Sequence, residues 1–317
     1  MPAPAIPPSF LQGAPPAATV HRLDFTKTTP PIPAYQNHFA AVIDHFLTPA
    51  ECTELLRLAG ESSTQQTLSS PSAPPEPAWK RALVNAGAGK EVMSDMRRSA
   101  RYIWDTPEIA TRLHARLAPF MASFGIDRIA AQPLITGLGP AKRGEVFVLS
   151  RLNERIRFLR YEGGDYFRPH WDGCYVTPDG GERSLFTVHL YLNGEGEQDW
   201  GLLGPEVERA QKRMFLYEGE DGLVDLRGVA EGDEKERTRE ARRMEAQEPL
   251  LEPLQESLLG GATSFGDDYR MRDAVRVFPK TGSLLIFQQR NLMHSGDDVF
   301  RGVKYTVRTD VLYTLAT

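Results

Sequence analysis

Cysteine is almost absent from this chain of 317 residues: only Cys52 and Cys174 occur, and no Cys-x-x-Cys pair exists. That excludes a thiolate zinc cluster and a disulfide scaffold. It suits a reducing compartment, so an intracellular location, cytoplasmic or nuclear, is expected. Long apolar runs are missing as well. The longest stretches, 186–192 and 283–287, are far too short to cross a bilayer, and the first residues show no basic-then-apolar signal pattern. No membrane role or export is expected. Positive charge is not in excess either, with 37 Lys and Arg against 42 Asp and Glu and a formal net charge of -5. A duplex nucleic-acid partner is therefore unexpected. Neither a P-loop nor Gly-x-Gly-x-x-Gly is present, so no phosphate cradle is visible. The rest is ordinary: 41% hydrophobic and 25% charged residues, enough chain to bury a large core.

The chain reads as four stretches. Residues 1–34 are rich in Pro and Ala, with three Pro-Pro pairs, and read as a flexible arm. Residues from 35 to about 144 read as a mostly helical support layer, with one short strand at 39–43. Thr48-Pro49-Ala50-Glu51 has the form of a capping box, and Asp105-Thr106-Pro107-Glu108 repeats it ahead of Ile109, Leu113, Leu117 and Phe120 at helical spacing. Pro119 is expected to kink that second helix and Gly125 to close it. From about 145 the period changes to short β-branched and aromatic runs, at 146–149, 156–161, 185–192, 283–287 and 305–313, which predict antiparallel sheet. The sheet is interrupted at about 195–258 by an insert with 18 acidic and 9 basic side chains. Opposite charges three apart, as in Glu236 and Arg239, predict a solvated helix there.

One segment carries chemistry. In Arg168-Pro169-His170-Trp171-Asp172, an imidazole and a carboxylate stand two apart, and on an extended strand they face one side. Two histidines and one carboxylate form the facial set of non-haem Fe(II) oxygenases, which leaves open positions on the metal. His294, near Gly296 and after a strand-like run, is the candidate third ligand, and His189 is its competitor. Lys304, Thr306 and Arg308 share one face of a later strand. Two inward cations there are costly unless an anion meets them, and a dicarboxylate cosubstrate supplies one.

These residues resemble the Fe(II)- and 2-oxoglutarate-dependent dioxygenases, in their prolyl 4-hydroxylase-like branch. The matching segments follow the family order. Residues 161–172 match Tyr-x-x-Gly…Pro-His-x-Asp, and 183–192 match the strand with Thr187 and Tyr191 in place. Residues 260–265 match Gly-Gly-x-Thr-x-Phe, 279–287 match Pro-x-x-Gly-x-x-Leu-x-Phe, and 294–304 match His…Gly-x-Lys. The resemblance implies an α+β chain with a mainly β core, a double-stranded β-helix (jelly roll) on an N-terminal helical layer, forming a single domain over 35–317. It implies that His170, Asp172 and His294 bind Fe(II). It implies that Lys304 pairs with the far carboxylate of 2-oxoglutarate, that Thr187 and Tyr161 hydrogen-bond to it, and that Arg308 is the second candidate for that anchor. O2 is then the co-reactant, ascorbate the reductant, and succinate and CO2 the by-products. Peptidyl proline is the first expected substrate, with a free amino acid or small metabolite as the alternative. A catalytically inactive jelly-roll binding module is the reading from another class, and a zinc cupin is the rival enzyme. Two positions depart from the branch: Ala262 replaces an acidic residue, and Phe167 replaces a tyrosine three before His170.

Overall fold

The computed structural model describes residues 4–15, 17–64, 78–85, 91–215 and 257–316. Eight strands form its centre: β1 (Arg155–Glu162), β2 (Tyr166–His170), β3 (Glu182–Tyr191), β4 (Thr263–Phe265), β5 (Val275–Val277), β6 (Leu284–Gln288), β7 (His294–Gly296) and β8 (Val303–Leu315). The larger antiparallel sheet has the order β6-β3-β8-β1 at its middle, and the smaller runs β5-β4-β7-β2. From β1 to β8 the chain passes back and forth between these sheets, which makes the core a double-stranded β-helix. The runs read from the sequence as strands all lie in the larger sheet.

The period of two assigns each strand its faces. On β3, Phe186, Val188 and Leu190 join the core shared with the helices, while Tyr191 joins the cluster on the other side with Phe265, Leu285 and Phe287. On β8, Val307 and Val311 face the helices, and Lys304, Thr306 and Arg308 line the cavity opposite. The helical layer is α1 (Pro49–Thr64) and α2 (Pro107–Ser123), whose Leu55, Leu58, Ile109, Leu113 and Leu117 pack on that outer face.

The first capping box forms as read. The Glu51 N–H donates to Thr48 Oγ1 at 3.1 Å, and the Thr48 N–H donates to Glu51 Oε2 at 2.8 Å. The second does not form: Thr106 makes no side-chain cap, and Glu108 pairs with Arg112 at 2.6 Å instead. Helix α2 runs through Pro119 and closes at Gly125 (φ +68) with paired bonds, Gly125 N–H to Ala122 O and Ile126 N–H to Met121 O.

The expectation of a flexible N-terminal arm needs correction. The flexible arm over 1–34 is instead built into the core. Phe10 and Leu11 are buried with the helices, Phe25 and Ile32 with the inner cluster, and Thr19–Arg22 pairs with Ala40–Asp44 at the edge of the larger sheet. Arg112 donates to the carbonyls of Pro7 and Phe10, which satisfies backbone that a free arm would leave to water. The layer over 35–144 holds the short strand expected at 39–43, here Ala40–Asp44, which pairs with β6, and also an unforeseen strand, Ala100–Asp105, which pairs with β1. The chain has two compact units, Met1–Gln198 with Ser257–Thr317 and Asp199–Glu256, and in the second Trp200–Phe215 is a helix. The solvated helix expected around 236–245 lies outside the described residues.

Glu51 does more than cap α1. Arg116 from α2, its side chain only 3% exposed, holds both Glu51 oxygens at 2.8 and 2.9 Å. Glu51→Ala should cost about 3–5 kcal/mol, because a buried guanidinium loses its partner. Burial opposes the charge on Glu51, but Arg116 and Thr48 outweigh it and hold its carboxyl below the usual 4.5. A depressed carboxyl stabilises above that pH and ceases to as pH falls through its folded value. Urea titration should therefore show a wild-type advantage that is full at neutral pH and shrinks below about pH 4.5. An advantage that held constant into acid would contradict this account.

Candidate active site

The two histidines meet across neighbouring strands. His170 closes β2, His294 opens β7, and the two are cross-strand partners with ring centroids 4.4 Å apart. Each Nδ1 faces a backbone carbonyl, Arg168 O at 2.8 Å and Leu292 O at 3.2 Å. Those acceptors place the ring proton on Nδ1 and leave the Nε2 lone pair bare. The Nε2 atoms stand 3.8 and 3.7 Å from different oxygens of Asp172. Burial pushes the His170 imidazole down to about 3 and also lowers His294, so both rings are neutral at physiological pH, the form that binds metal.

Asp172 reaches this point by a different route from the expected one. Strand β2 stops at His170, and Asp172 follows in the loop beyond the half-exposed Trp171. Its carboxylate is held from the larger sheet. Arg308 Nη2 lies 2.8 Å from Oδ1, and Thr187 Oγ1 donates to Oδ2 at 2.6 Å. Burial works against its charge, but Arg308, the histidines and the Thr187 hydroxyl hold the carboxyl far below the usual range. His170, Asp172 and His294 present one ligand atom each within 4.8 Å of one another. They are the one such group of three or more metal-ligating side chains among the described residues.

Two of the residues expected to meet the cosubstrate have partners within the chain. The Thr187 hydroxyl is committed to Asp172 and accepts from Gln289 Nε2 at 3.2 Å, so it orients the carboxylate. Arg308 bridges Asp172 and Asp310, so its charge is already neutralised from within the chain. Lys304 is different. It is buried, its Nζ donates to Gly261 O at 2.6 Å, and the rings of Tyr161 and Tyr191 lie 5.2 and 5.5 Å away. Among the described residues no carboxylate forms an ion pair with it. Burial pushes its ammonium down to about 8, with Asp297 offsetting part of the effect. His189 lines the same cavity and packs edge-on against Phe287, without joining the triad.

His170 and Asp172 border two spaces, and His294 borders the inner one. A narrow inner cavity holds Lys304, Tyr161, Thr263 and His189, and an outer cleft of about 610 Å³ holds Trp171, Tyr175, Val176, Arg101 and Arg157. His170, Asp172, Phe167, Arg97 and Arg308 line both. Sequence reading missed Arg97, which belongs to no matched segment. It also missed Tyr35, whose hydroxyl donates to Gly266 O and accepts from the Met293 N–H at 3.1 Å, pinning the residue before His294. The Tyr191–Thr263 bond of 2.7 Å was foreseeable, since both residues stand in quoted segments.

No family model matches the sequence, and no curated protein matches it. The fold is similar to solved prolyl hydroxylases. One, from Trichoplax adhaerens, was solved in complex with a hypoxia inducible factor oxygen degradation domain peptide fragment; it is 12% identical, with TM-score 0.42, over 86% of this chain and 82% of that one. A Pseudomonas putida prolyl-4-hydroxylase is 15% identical, with TM-score 0.39, over 87% and 93%. A collagen prolyl hydroxylase of Paramecium Bursaria Chlorella virus-1 is 16% identical, with TM-score 0.38, over 87% and 96%. Strand order and triad define a jelly-roll protein with a His-Asp-His centre.

Thr187→Val keeps the shape and removes the hydroxyl that fixes Asp172. The affinity for cobalt(II), followed by its visible absorption, should fall roughly tenfold to a hundredfold. Unchanged affinity would mean that Arg308 alone orients the carboxylate.

Proposed function

We propose that the protein is an Fe(II)- and 2-oxoglutarate-dependent dioxygenase that hydroxylates an unactivated C–H bond, with a prolyl residue of a peptide as the first candidate substrate. The observation that carries the reading is a pairing. Two neutral imidazoles and one carboxylate converge on a point, and beyond them stands a buried lysine that lacks an anionic partner among the described residues. A zinc cupin would account for the triad and leave Lys304 unexplained. The segments quoted from the sequence, which resemble the prolyl 4-hydroxylase-like branch, support proline as the first class to test.

The donor set fits ferrous iron: two imidazole nitrogens and one carboxylate, on one side, with room left for other ligands. His170, Asp172 and His294 would hold it, and when bound it supplies O2 activation coupled to oxidative decarboxylation of 2-oxoglutarate, with succinate and CO2 released. Ascorbate is the expected reductant. The chain's own work is placement. Lys304 receives the distal carboxylate of the cosubstrate, and exchanging a carbonyl partner for an anion relieves its buried charge. Tyr161 and Tyr191 wall the pocket beside that ammonium, which keeps water from competing for it. Arg308 and Thr187 hold Asp172 so that one oxygen faces each Nε2. Phe167, stacked 3.6 Å from the His170 ring, fixes that imidazole on the substrate side.

The direct test is incubation with Fe(II), ascorbate, 2-oxoglutarate and proline-containing peptides. Succinate and a product heavier by one oxygen should form together, and both should disappear in His170→Ala, Asp172→Ala or His294→Ala. Near wild-type turnover in any of the three would remove that residue from the metal site.

The two cations should separate by kinetics. Lys304→Ala is expected to raise the KM for 2-oxoglutarate about tenfold to a hundredfold, the worth of a charge-assisted contact in a dry site. Arg308→Ala should weaken metal binding more than it changes that KM. The reverse pattern would make Arg308 the cosubstrate anchor.

A further inference from the structure

Arg97 is a buried cation that the proposed chemistry leaves unused. It sits on the short strand Arg97–Arg98 at the edge of the smaller sheet, directly opposite Phe167 of β2. It is only 6% exposed, yet its polar partners are neutral: Nε donates to Ser99 Oγ at 3.0 Å, and the phenol of Tyr161 is its other neighbour. Its guanidinium lies 4.5 Å from the centre of the Phe167 ring. Among the described residues no carboxylate is paired with it. A guanidinium this deep without an anion is disfavoured, and burial acts against its charge.

The surroundings do not supply the missing charge. The two aspartates of the outer cleft are already taken, Asp172 by Arg308 and Asp310 by Arg157 at 3.0 Å and by Arg308. Arg97 lines the inner cavity and the outer cleft at once, so it is reached from the cleft mouth without passing Lys304. Phe167, whose ring separates it from His170, places it next to the open side of the triad. Exposed Trp171 and Tyr175 give the same cleft an apolar wall.

Resting on the dioxygenase reading, we propose that Arg97 binds a carboxylate of the substrate, so that the protein acts on a carboxylate-bearing molecule with an apolar body. A small free acid and the C-terminal carboxylate of a peptide share that chemistry. Charge-assisted bonding to Arg97 anchors the acid, the aromatic wall covers the body, and a C–H bond near the anchor is held towards the triad. Arg97 thereby sets specificity: a neutral isostere leaves its guanidinium unpaired again.

The test uses the full chain loaded with manganese(II) and 2-oxoglutarate, and calorimetric titration with matched pairs: benzoate against benzamide for a small acid, and N-acetyl-Ala-Ala-Pro against its C-terminal amide for a peptide. At least one acid should bind about tenfold or more tightly than its amide, and the pair that shows it identifies the source. Arg97→Met should abolish that preference and Arg97→Lys should retain part of it, while 2-oxoglutarate affinity stays within about twofold of wild type in both. Equal binding of acid and amide in both pairs overturns the proposal, and so does a preference that survives Arg97→Met. Parallel loss of 2-oxoglutarate affinity also overturns it, since it would make Arg97 a support for Tyr161. If Arg97→Met does not fold, Arg97→Gln takes its place. Absence of metal-dependent 2-oxoglutarate binding in the wild type would instead refute the dioxygenase reading. The same titrations on metal-free protein then decide the role of Arg97 independently.

Discussion

The carboxylate of Asp172 stays charged in a buried site because Arg308 sits on it, and the geometry of the centre follows from that pair. Alone at this depth the carboxylate would be driven to protonate and the guanidinium would be a buried charge without an anion. The pair extends sideways, since Arg308 also reaches Asp310, Asp310 accepts from Arg157, and Gln289 donates to both Thr187 and Asp310. This chain of bonds joins β3, β8 and β1, three neighbours in the larger sheet, to a loop residue that follows the smaller one. Breaking any link leaves a buried charge with too few partners, so the network is rigid where a ligand set must be rigid. The histidines need less help, because strand pairing already sets them face to face and backbone carbonyls fix their tautomers.

That rigidity is supplied from one sheet while the imidazoles come from the other, so the site exists only when both are assembled. The N-terminal segment takes part in the assembly. Phe25, Ile32 and Tyr35 fill the cluster around Phe265 and Phe287, and Tyr35 ties Gly266 to the backbone just before His294. Phe25 and Ile32, inside the segment that composition marks as an arm, thus share a buried cluster with Phe265, and Tyr35 just beyond that segment pins the strand that carries a candidate ligand.

The reach of sequence reading follows the range of the forces involved. The strands of the larger sheet were legible because runs of β-branched and aromatic residues are a local signal, and the His170, Asp172 and His294 set was legible because its donor chemistry is distinctive. The Thr48–Glu51 box was legible because its bonds close within four residues. The Asp105–Glu108 copy failed because the helix starts at Pro107 with Thr106 as its N-cap, which puts Glu108 at N2, one residue short of the place a capping box needs, and Glu108 pairs with Arg112 instead. Phe10, Leu11, Phe25 and Ile32 were hidden among prolines, since an apolar residue shows its burial only through a partner surface far along the chain. The duties of Thr187 and Arg308 were hidden for a related reason. Each points into the cavity as expected, but which anion it meets depends on where the loop after His170 delivers Asp172.

The two cations on β8 divide the work according to their chemistry. Lys304 and Arg308 are four residues apart and face the same way, yet one is satisfied within the chain and the other is not. A guanidinium is planar, permanently charged and forked, which suits a fixed bridge between Asp172 and Asp310. An ammonium is compact and more readily loses its charge, and here burial draws it down to about 8. Of the two on β8, the arginine therefore makes the permanent internal pair, and under the proposed function the lysine receives the cosubstrate that must arrive and leave. Gly261 completes the contrast. At φ +73, a Cβ there would lie 3.1 Å from Lys304 Cδ, so only glycine lets the lysine lie against that backbone and still turn its ammonium to an incoming anion.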